Sequence, residues 1–518
     1  MDRASLRIGM TTVTYGKTPS RSPTSPGTAE GYSAVTRLPE IATAAPTETR
    51  ASRFANPGAW DVRWVVFVLA LHVAIGSAAR ASSLVSTAYD IVTIVVALVV
   101  VIRARRLEWV AAAVGYVAAA EVLWRMTGGA IFWPATGKFA LSGLLIVAMF
   151  RFFPGWRRFI VPALYLAMFV PGVILAILHF GLWESRGPLT FNVMGPVSLA
   201  LCVVFFAQAR MGVATFRVML WAVVPPIVAT ATNVLIGTVS AGSIRFTGES
   251  NFVTSGGFQP TQVSAVLGFG VVVCFLLAVT ERDLRLLLVE IGLALWFLGQ
   301  ALLTFSRGGV LSMVVAVFLA AIVMSRRLRR AGRLALLGIV VVAVAGGVIV
   351  LLVNAFSGGK LIARYDERTF SRRDSIVDHD LELFREHPVL GVGIGVAETR
   401  RPPAIRGEPA HTEFSRLLAE QGLFGIVALA ALVTIIAGAL FRTRRGLPCA
   451  FFAAFAGWSL TEMAHSATRI ALISYSLGLA IAAAGLAGDD EDETASERDH
   501  AALEVAAKAG GVNVTQNR

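Results

Sequence analysis

A series of fourteen long apolar runs constrains the fold of this chain more than any other feature. Most of these runs approach or exceed the length of about 17 to 25 residues that a helix needs to cross a membrane. A helix satisfies its own backbone hydrogen bonds inside lipid. The pattern therefore predicts an all-α, polytopic integral membrane protein with about 12 to 14 transmembrane helices. The predicted spans lie near 62–80, 84–102, 107–124, 139–153, 159–180, 189–207, 213–239, 260–280, 284–304, 308–324, 333–354, 415–440, 447–465 and 469–487.

The composition agrees with a membrane protein. Of the 518 residues, 56% are hydrophobic and only 15% are charged, and the mean hydropathy is +0.69. The net charge of +13 does not indicate a nucleic-acid partner, because most basic residues form short clusters between apolar runs. Cys202, Cys274 and Cys449 lie in or beside apolar runs, and their spacing matches neither a disulfide framework nor a metal site.

The two ends of the chain differ from its centre. Residues 1–59 are rich in Ser, Thr, Pro, Ala and Gly and lack the apolar core of a signal peptide, so we expect a disordered cytoplasmic tail. Residues 488–518 begin with the acidic run GDDEDETASERD, and we expect a second cytoplasmic tail there. Residues 60–487 then form the membrane domain.

The connections between spans predict the orientation. Six alternate connections (RARRLE, RFFPGWRR, QARMGVATFR, ERDLR, RRLRRAGR and FRTRRG) hold eighteen arginines, whereas the opposite short loops hold seven Lys or Arg. The positive-inside rule places the arginine-rich connections and both termini in the cytoplasm. Arg245, Arg307 and the segment 355–414 then lie on the outer face.

The 355–414 segment is long enough to suggest a function. Ser371 and Asp374 form a candidate capping box before an apolar pattern, which predicts an amphipathic surface helix ended by Pro388. The run GVGIGV at 391–396 is not a phosphate loop, because no Lys-Ser/Thr or strand–helix context follows. A polar stretch containing His411 then leads into the next apolar run.

Each of these residues, considered alone, also has an explanation that involves no catalytic or binding role. Arg307 could be a helix-end arginine that extends to the membrane surface, although SRGG allows close packing of backbone around it. Arg245 alone is a weak signal, and His411 alone could be an incidental loop histidine.

The order of the motifs is more specific. LLTFSRGG, then FSRRDSIVDHDLELFREHPVLGVGIG, then AHTEFSRLLAEQGLFG resembles the O-antigen ligase and polymerase family of bacterial membrane glycosyltransferases over roughly residues 240–440. The resemblance implies a GT-C-like fold in the inner membrane. It also implies a polyprenyl-diphosphate-linked glycan donor, and a glycan or lipid acceptor.

The resemblance also implies roles for individual residues. His411 would be the general base, and Arg245 and Arg307 would hold the donor diphosphate. Arg373, which would open the surface helix, would also bind substrate. Two departures concern acceptor contacts: Thr412 stands where Asn is usual, and FQPTQ replaces an Asn-Pro-Asn pattern.

Four further residues are possible site residues. Glu413 follows the histidine motif directly, and Glu462, His465 and Arg469 come from LTEMAHSATR near the outer end of the thirteenth span. Glu462 and His465 are three apart and share a helix face. A buried polar pair that stabilises helix packing is the alternative interpretation.

The chemistry of these residue types fits glycosyl transfer. Arginine donates two parallel hydrogen bonds to phosphate, and a neutral histidine accepts a proton near neutral pH. No metal or other cofactor is expected, and direct displacement with inversion is the simplest mechanism. The sequence leaves open a polymerase and a ligase, and a membrane transporter is the alternative class, although the broken helices and repeated halves of transporters are not evident.

Overall fold

The structure is a computed structural model that describes residues 61–129, 135–153, 160–209, 211–247, 249–330, 332–366 and 371–486. Both predicted tails, and the side chains of 326–342, 371 and 372, lie outside the described part. All regular structure within these ranges is helical, without a strand. Ten helices are long and apolar enough to cross a membrane, or eleven if one bent pair forms a single span. An all-α polytopic membrane protein is thereby confirmed, while the count of fourteen spans stays a prediction.

The described ranges contain nineteen α-helices. They are α1 (Val62–Ala81), α2 (Ser83–Arg103), α3 (Leu107–Met126), α4 (Thr136–Phe152), α5 (Ile160–Ala167), α6 (Val170–Phe180), α7 (Arg186–Gln208), α8 (Val213–Val239), α9 (Pro260–Thr280), α10 (Leu284–Leu303), α11 (Arg307–Arg330), α12 (Gly332–Phe356), α13 (Lys360–Asp366), α14 (Ser371–Glu386), α15 (Val396–Arg400), α16 (Glu413–Gln421), α17 (Leu423–Arg442), α18 (Leu447–Ser466) and α19 (Ala471–Ala483).

Local capping fixes where several helices begin. Asp61 and Asp283 accept backbone hydrogen bonds at the starts of α1 and α10, and Thr412 does the same for α16. Such caps satisfy N–H groups that have no partner within the helix.

Two predicted spans are interrupted. The span 159–180 consists of α5 and α6, and the span 415–440 is divided into α16 and α17 at Gly422. Gly422 has φ +57° and ψ −130°, and a Cβ there would lie 2.6 Å from the backbone nitrogen of Gly391. Only glycine accommodates this conformation and this contact easily, so the chain turns there, between the amphipathic α16 and the apolar α17.

Connections that the sequence assigns to one side meet at one end of the helix bundle. The Asn251 N–H, after α8, donates to the Thr304 carbonyl between α10 and α11 over 2.8 Å. Arg125, at the end of α3, donates to the Arg469 carbonyl between α18 and α19 over 3.4 Å. His411 lies at this end as well, and we call it the His411 end.

Small residues let α11 pack closely at the His411 end. A Cβ on Gly309 would lie 2.4 Å from the backbone of Ser264 on α9. A Cβ on Gly308 would lie 3.2 Å from the Cβ of His465 on α18. Small residues permit such close helix contacts in membranes. The two glycines after Arg307 therefore place that arginine between two neighbouring helices.

The 355–414 segment folds over the His411 end. Helices α12 and α13 meet at an angle of 105°, with Gly358 and Gly359 between them. Helix α14 confirms the predicted amphipathic helix, since Ile376, Asp380 and Leu383 are buried along one face. The predicted cap by Ser371 falls on a side chain outside the described residues.

Candidate active site

His411 directly precedes the N-terminus of α16. Thr412 is the N-cap, and its hydroxyl accepts a hydrogen bond of 3.2 Å from the Phe414 N–H. Helix α16 therefore begins two residues after His411. The half-buried His411 ring lies next to the positive end of the α16 dipole, which disfavours an imidazolium.

Burial and neighbouring cations keep the His411 ring neutral. Burial is the largest cause of a pKa lowered to about 3, and the charges of Arg469, Arg373 and Arg401 lower the pKa further. The ring is thus available as a proton acceptor near neutral pH. An anion bound among these guanidiniums would raise its pKa.

Arg373 lies at the centre of a cluster of arginines. Its pKa is lowered by burial first and then by the charges of Arg307 and Arg364, whereas Glu462 acts in the opposite direction. Arg307, Arg364 and Arg373 therefore lie close enough for their charges to interact, and their binding of substrate stays a prediction. Arg364, on α13, was missed because KLIARYD carries no recognisable motif.

Arg469 is tied to the backbone beside His411. Its guanidinium donates a hydrogen bond to the Ala410 carbonyl and lies 6.0 Å from the ring centroid of Phe191. Burial is the largest cause that lowers its pKa, to about 10. Arg469 therefore belongs to the surroundings of His411, which the sequence suggested only as a possibility.

Glu413 is buried in an ion pair and hydrogen bonds that join parts of the structure. Its side chain is fully buried, and one carboxylate oxygen lies 2.5 Å from a guanidinium nitrogen of Arg416. The other oxygen accepts hydrogen bonds from the Thr468 backbone N–H and hydroxyl over 3.3 and 3.4 Å. Glu413 thereby joins α16 to the turn that carries Arg469.

Glu462 and His465 lie on the α18 face that meets α11. Glu462 is fully buried, and the hydroxyls of Ser312 and Ser466 lie close to its carboxylate. His465 packs against Gly308, next to Arg307. Both residues therefore adjoin the arginine cluster, whether their role is chemical or structural.

Arg245 stands apart from the other predicted site residues. Its side chain is exposed, and its carbonyl accepts a hydrogen bond of 3.1 Å from the Asn251 amide. The following residue, Phe246, stacks on Phe305 with ring centroids 5.0 Å apart. The backbone of Arg245 thus lies near the turn before Arg307, but the structure gives its guanidinium no contact with the cluster.

A buried clamp that sequence reasoning missed holds the loop before His411. Arg401 pairs with Asp380 on α14 over 2.8 Å and also donates to the Glu408 carbonyl. The second Asp380 oxygen accepts a 2.8 Å hydrogen bond from the Ser415 hydroxyl on α16. Asp380 and Arg401 are fully buried, so this clamp fixes α14, the loop and α16 relative to one another.

The glycine run at 391–396 braces the helices instead of binding an anion. Every backbone N–H in this run donates to a protein acceptor, among them the carbonyls of Gly172, Ala419 and Glu420 and the Glu420 side chain. A phosphate loop needs free N–H groups. The run therefore offers no phosphate site, in agreement with the sequence analysis.

Two residues with unusual backbone conformations flank the site. Phe305 has φ +57° and Ala467 has φ +51°, and they precede Arg307 and Arg469, respectively, by two positions. A positive φ is costly for residues other than glycine, and such residues often occur at functional sites. The two arginines thus follow strained turns at the same end of the bundle.

Comparison with known protein families confirms the resemblance in the central part of the site. Residues 292–430 match the model of the O-antigen ligase family. The match contains Arg307, Arg373 and His411, and it excludes Arg245 and Arg469. A comparison with curated proteins finds no match.

Proposed function

We propose that this protein transfers or polymerises glycan from a polyprenyl-diphosphate carrier to an acceptor hydroxyl at the outer face of the cytoplasmic membrane. The observation that carries this proposal is a neutral histidine, His411, held beside a cluster of arginines inside an O-antigen ligase-type region. The acceptor is a lipid-linked glycan for a polymerase and can be another lipid for a ligase. Both acceptors present a hydroxyl to His411.

The arginine cluster suits the diphosphate of the donor. The leaving diphosphate gains charge as the bond to the sugar breaks, and cations placed in advance stabilise that charge. Guanidinium groups donate bidentate hydrogen bonds to phosphate and stay protonated when partly buried. Arg307, Arg373 and Arg364 would bind the diphosphate while its lipid chain stays in the membrane.

His411 would act on the acceptor. The acceptor oxygen attacks the anomeric carbon, its proton passes to a nitrogen of His411, and the bond between that carbon and the diphosphate oxygen breaks. The electron pair leaves with the diphosphate, so one displacement inverts the anomeric centre. The fixed loop before α16 would keep the ring in position during this step.

The test measures donor binding and glycan transfer on the same protein. His411→Ala should lose about a hundredfold to ten-thousandfold in transfer rate, the usual contribution of a general base, while donor binding persists. His179→Ala is a matched control, because His179 is an exposed histidine outside the matched region 292–430. Transfer by a folded His411→Ala protein within a few-fold of wild type would show that the base lies elsewhere.

A further inference from the structure

An open groove of about 610 Å³ lies between α14 and the loop that follows α15. This volume is within the range of small-molecule sites. The α14 wall consists of side chains three or four positions apart, which share a helix face beside the buried one. The lining residues are Ser375, Asp378, His379, Glu382, Arg385, Pro402, Ala404 and Ile405.

The two walls of the groove are fixed to each other. The buried ion pair of Arg401 with Asp380 joins the loop to α14 directly. The loop is held further by a 3.0 Å hydrogen bond from the Gly407 N–H to the Glu398 carbonyl. A ligand would therefore enter a preformed site and lose little free energy to ordering of the protein.

The lining combines acceptors, donors and a small apolar surface. Asp378 and Glu382 accept hydrogen bonds, Arg385 donates them, and Ser375 does both. A sugar ring presents adjacent hydroxyls that need acceptors and donors, and a C–H face that can pack against Pro402. The two carboxylates disfavour a phosphate, and an apolar ligand would desolvate charged groups without replacing their hydrogen bonds.

His379 adds a polar atom without a partner. Its Nδ1 lies 3.2 Å from a carboxylate oxygen of Glu382. Its Nε2 is buried and has no hydrogen-bond partner among the described residues. Buried polar atoms rarely lack partners, and this nitrogen would gain one from a ligand hydroxyl if the ring turned toward the groove.

The groove begins beside the reaction centre and leads away from it. Ser375 is two residues from Arg373, whose charge acts on His411. Helix α14 rises about 1.5 Å per residue, so the wall from Ser375 to Arg385 extends for about 15 Å. We propose that this groove binds an uncharged stretch of glycan several sugars from the reacting bond. This inference rests on the proposed glycan transfer and adds the requirement for a chain longer than one sugar.

The experiment compares substrates of different length on the full chain. The first variant combines Asp378→Asn with Glu382→Gln, and the second is Ala404→Trp, which fills the groove from an exposed position. The control is Glu386→Gln, because Glu386 is exposed on α14 outside the lining. For a long glycan, kcat/KM should fall about tenfold in the variants, the effect of losing a hydrogen bond to a charged acceptor. A donor or acceptor with one sugar should be unaffected. Separate donor and acceptor length series show which substrate supplies the chain.

If wild-type protein is active and the variants depend on glycan length as the wild type does in both series, the groove does not bind glycan. The proposed function would then still stand. If wild-type protein transfers no glycan, the proposed function fails, and binding of a free, lipid-less oligosaccharide tests the groove by itself. Binding that Ala404→Trp abolishes would support the groove. No binding, or binding of a peptide in its place, would refute it.

Discussion

The guanidinium of Arg469 donates a hydrogen bond to the carbonyl oxygen of Ala410, the residue directly before His411. This bond joins two connections that are 59 residues apart in the chain. Arg469 therefore affects His411 in two ways: it holds the backbone in place, and its charge lowers the pKa of the ring.

Arg469→Met should remove both effects with little change in side-chain volume. We expect glycan transfer to fall by about tenfold or more, because a displaced catalytic group loses its orientation toward the substrate. Arg469→Lys should keep part of the activity, since it retains a cation. Initial rates at saturating donor provide the measurement, and full activity of a folded Arg469→Met protein would remove Arg469 from the site.

Arg307→Lys keeps the charge and loses the planar guanidinium. Transfer should fall by about one hundredfold if this group stabilises the leaving diphosphate, a typical loss for a transition-state donor. Arg245→Ala should have a smaller effect, because its exposed side chain has no contact with the cluster. Wild-type turnover of a well-expressed Arg307→Lys protein would favour the interpretation of Arg307 as a helix-end arginine.

Glu413→Gln should reduce stability before it affects chemistry. Removal of one partner leaves Arg416 buried with less compensation, which typically costs about 3 to 5 kcal/mol when a buried pair is broken. Glu420 also pairs with Arg416, over 3.0 Å, and should offset part of this cost. Thermal unfolding in detergent measures the change. Normal stability with lost transfer would instead assign Glu413 to the reaction.

The sequence predicted the parts of this protein that local patterns determine. Long apolar runs predicted the helices, and a cap with helical periodicity predicted α14. The order of the motifs singled out His411, which lies directly before the N-cap of α16.

Contacts between residues far apart in the chain leave no local pattern in the sequence. Arg364 joins the arginines, and Asp380 joins Arg401, only after the chain has folded over the His411 end. The predicted span 415–440 begins too early, because α16 before Gly422 is amphipathic and the apolar helix long enough to cross a membrane is α17, Leu423–Arg442. Residues that meet through tertiary structure therefore had to be found in the structure.

The orientation across the membrane can be tested directly. A reporter fused near residue 400 should behave as external, and one fused near residue 495 should behave as cytoplasmic. The reason is the concentration of arginines in alternate connections, which stay on the cytoplasmic side. An alkaline phosphatase and fluorescent-protein pair measures both positions. If both fusions report the same compartment, the predicted orientation is wrong.

The pH dependence of transfer should reveal His411 most clearly. Its pKa of about 3 in the donor-free protein is below the ordinary value of 6.5, so the ring stays neutral through the physiological range. Protonation then favours the unfolded chain, and the contribution of this group to stability is lost as pH falls below about 6.5. The donor diphosphate acts in the opposite direction, because its negative charge raises the pKa of the ring.

In the wild-type protein, kcat/KM for the donor should therefore not decrease between about pH 7 and 5 through protonation of His411, since kcat/KM reports the free enzyme. The acid limb of kcat, which reports the donor complex, should lie at higher pH. Arg469→Met should raise the pKa of His411 and move both limbs to higher pH, because one of the cations that lower it is gone. Rates measured across pH on both proteins give the comparison. Coincident acid limbs for kcat and kcat/KM in the wild-type protein would mean that the donor's charge does not reach the ring, and His411 would then not lie beside the diphosphate.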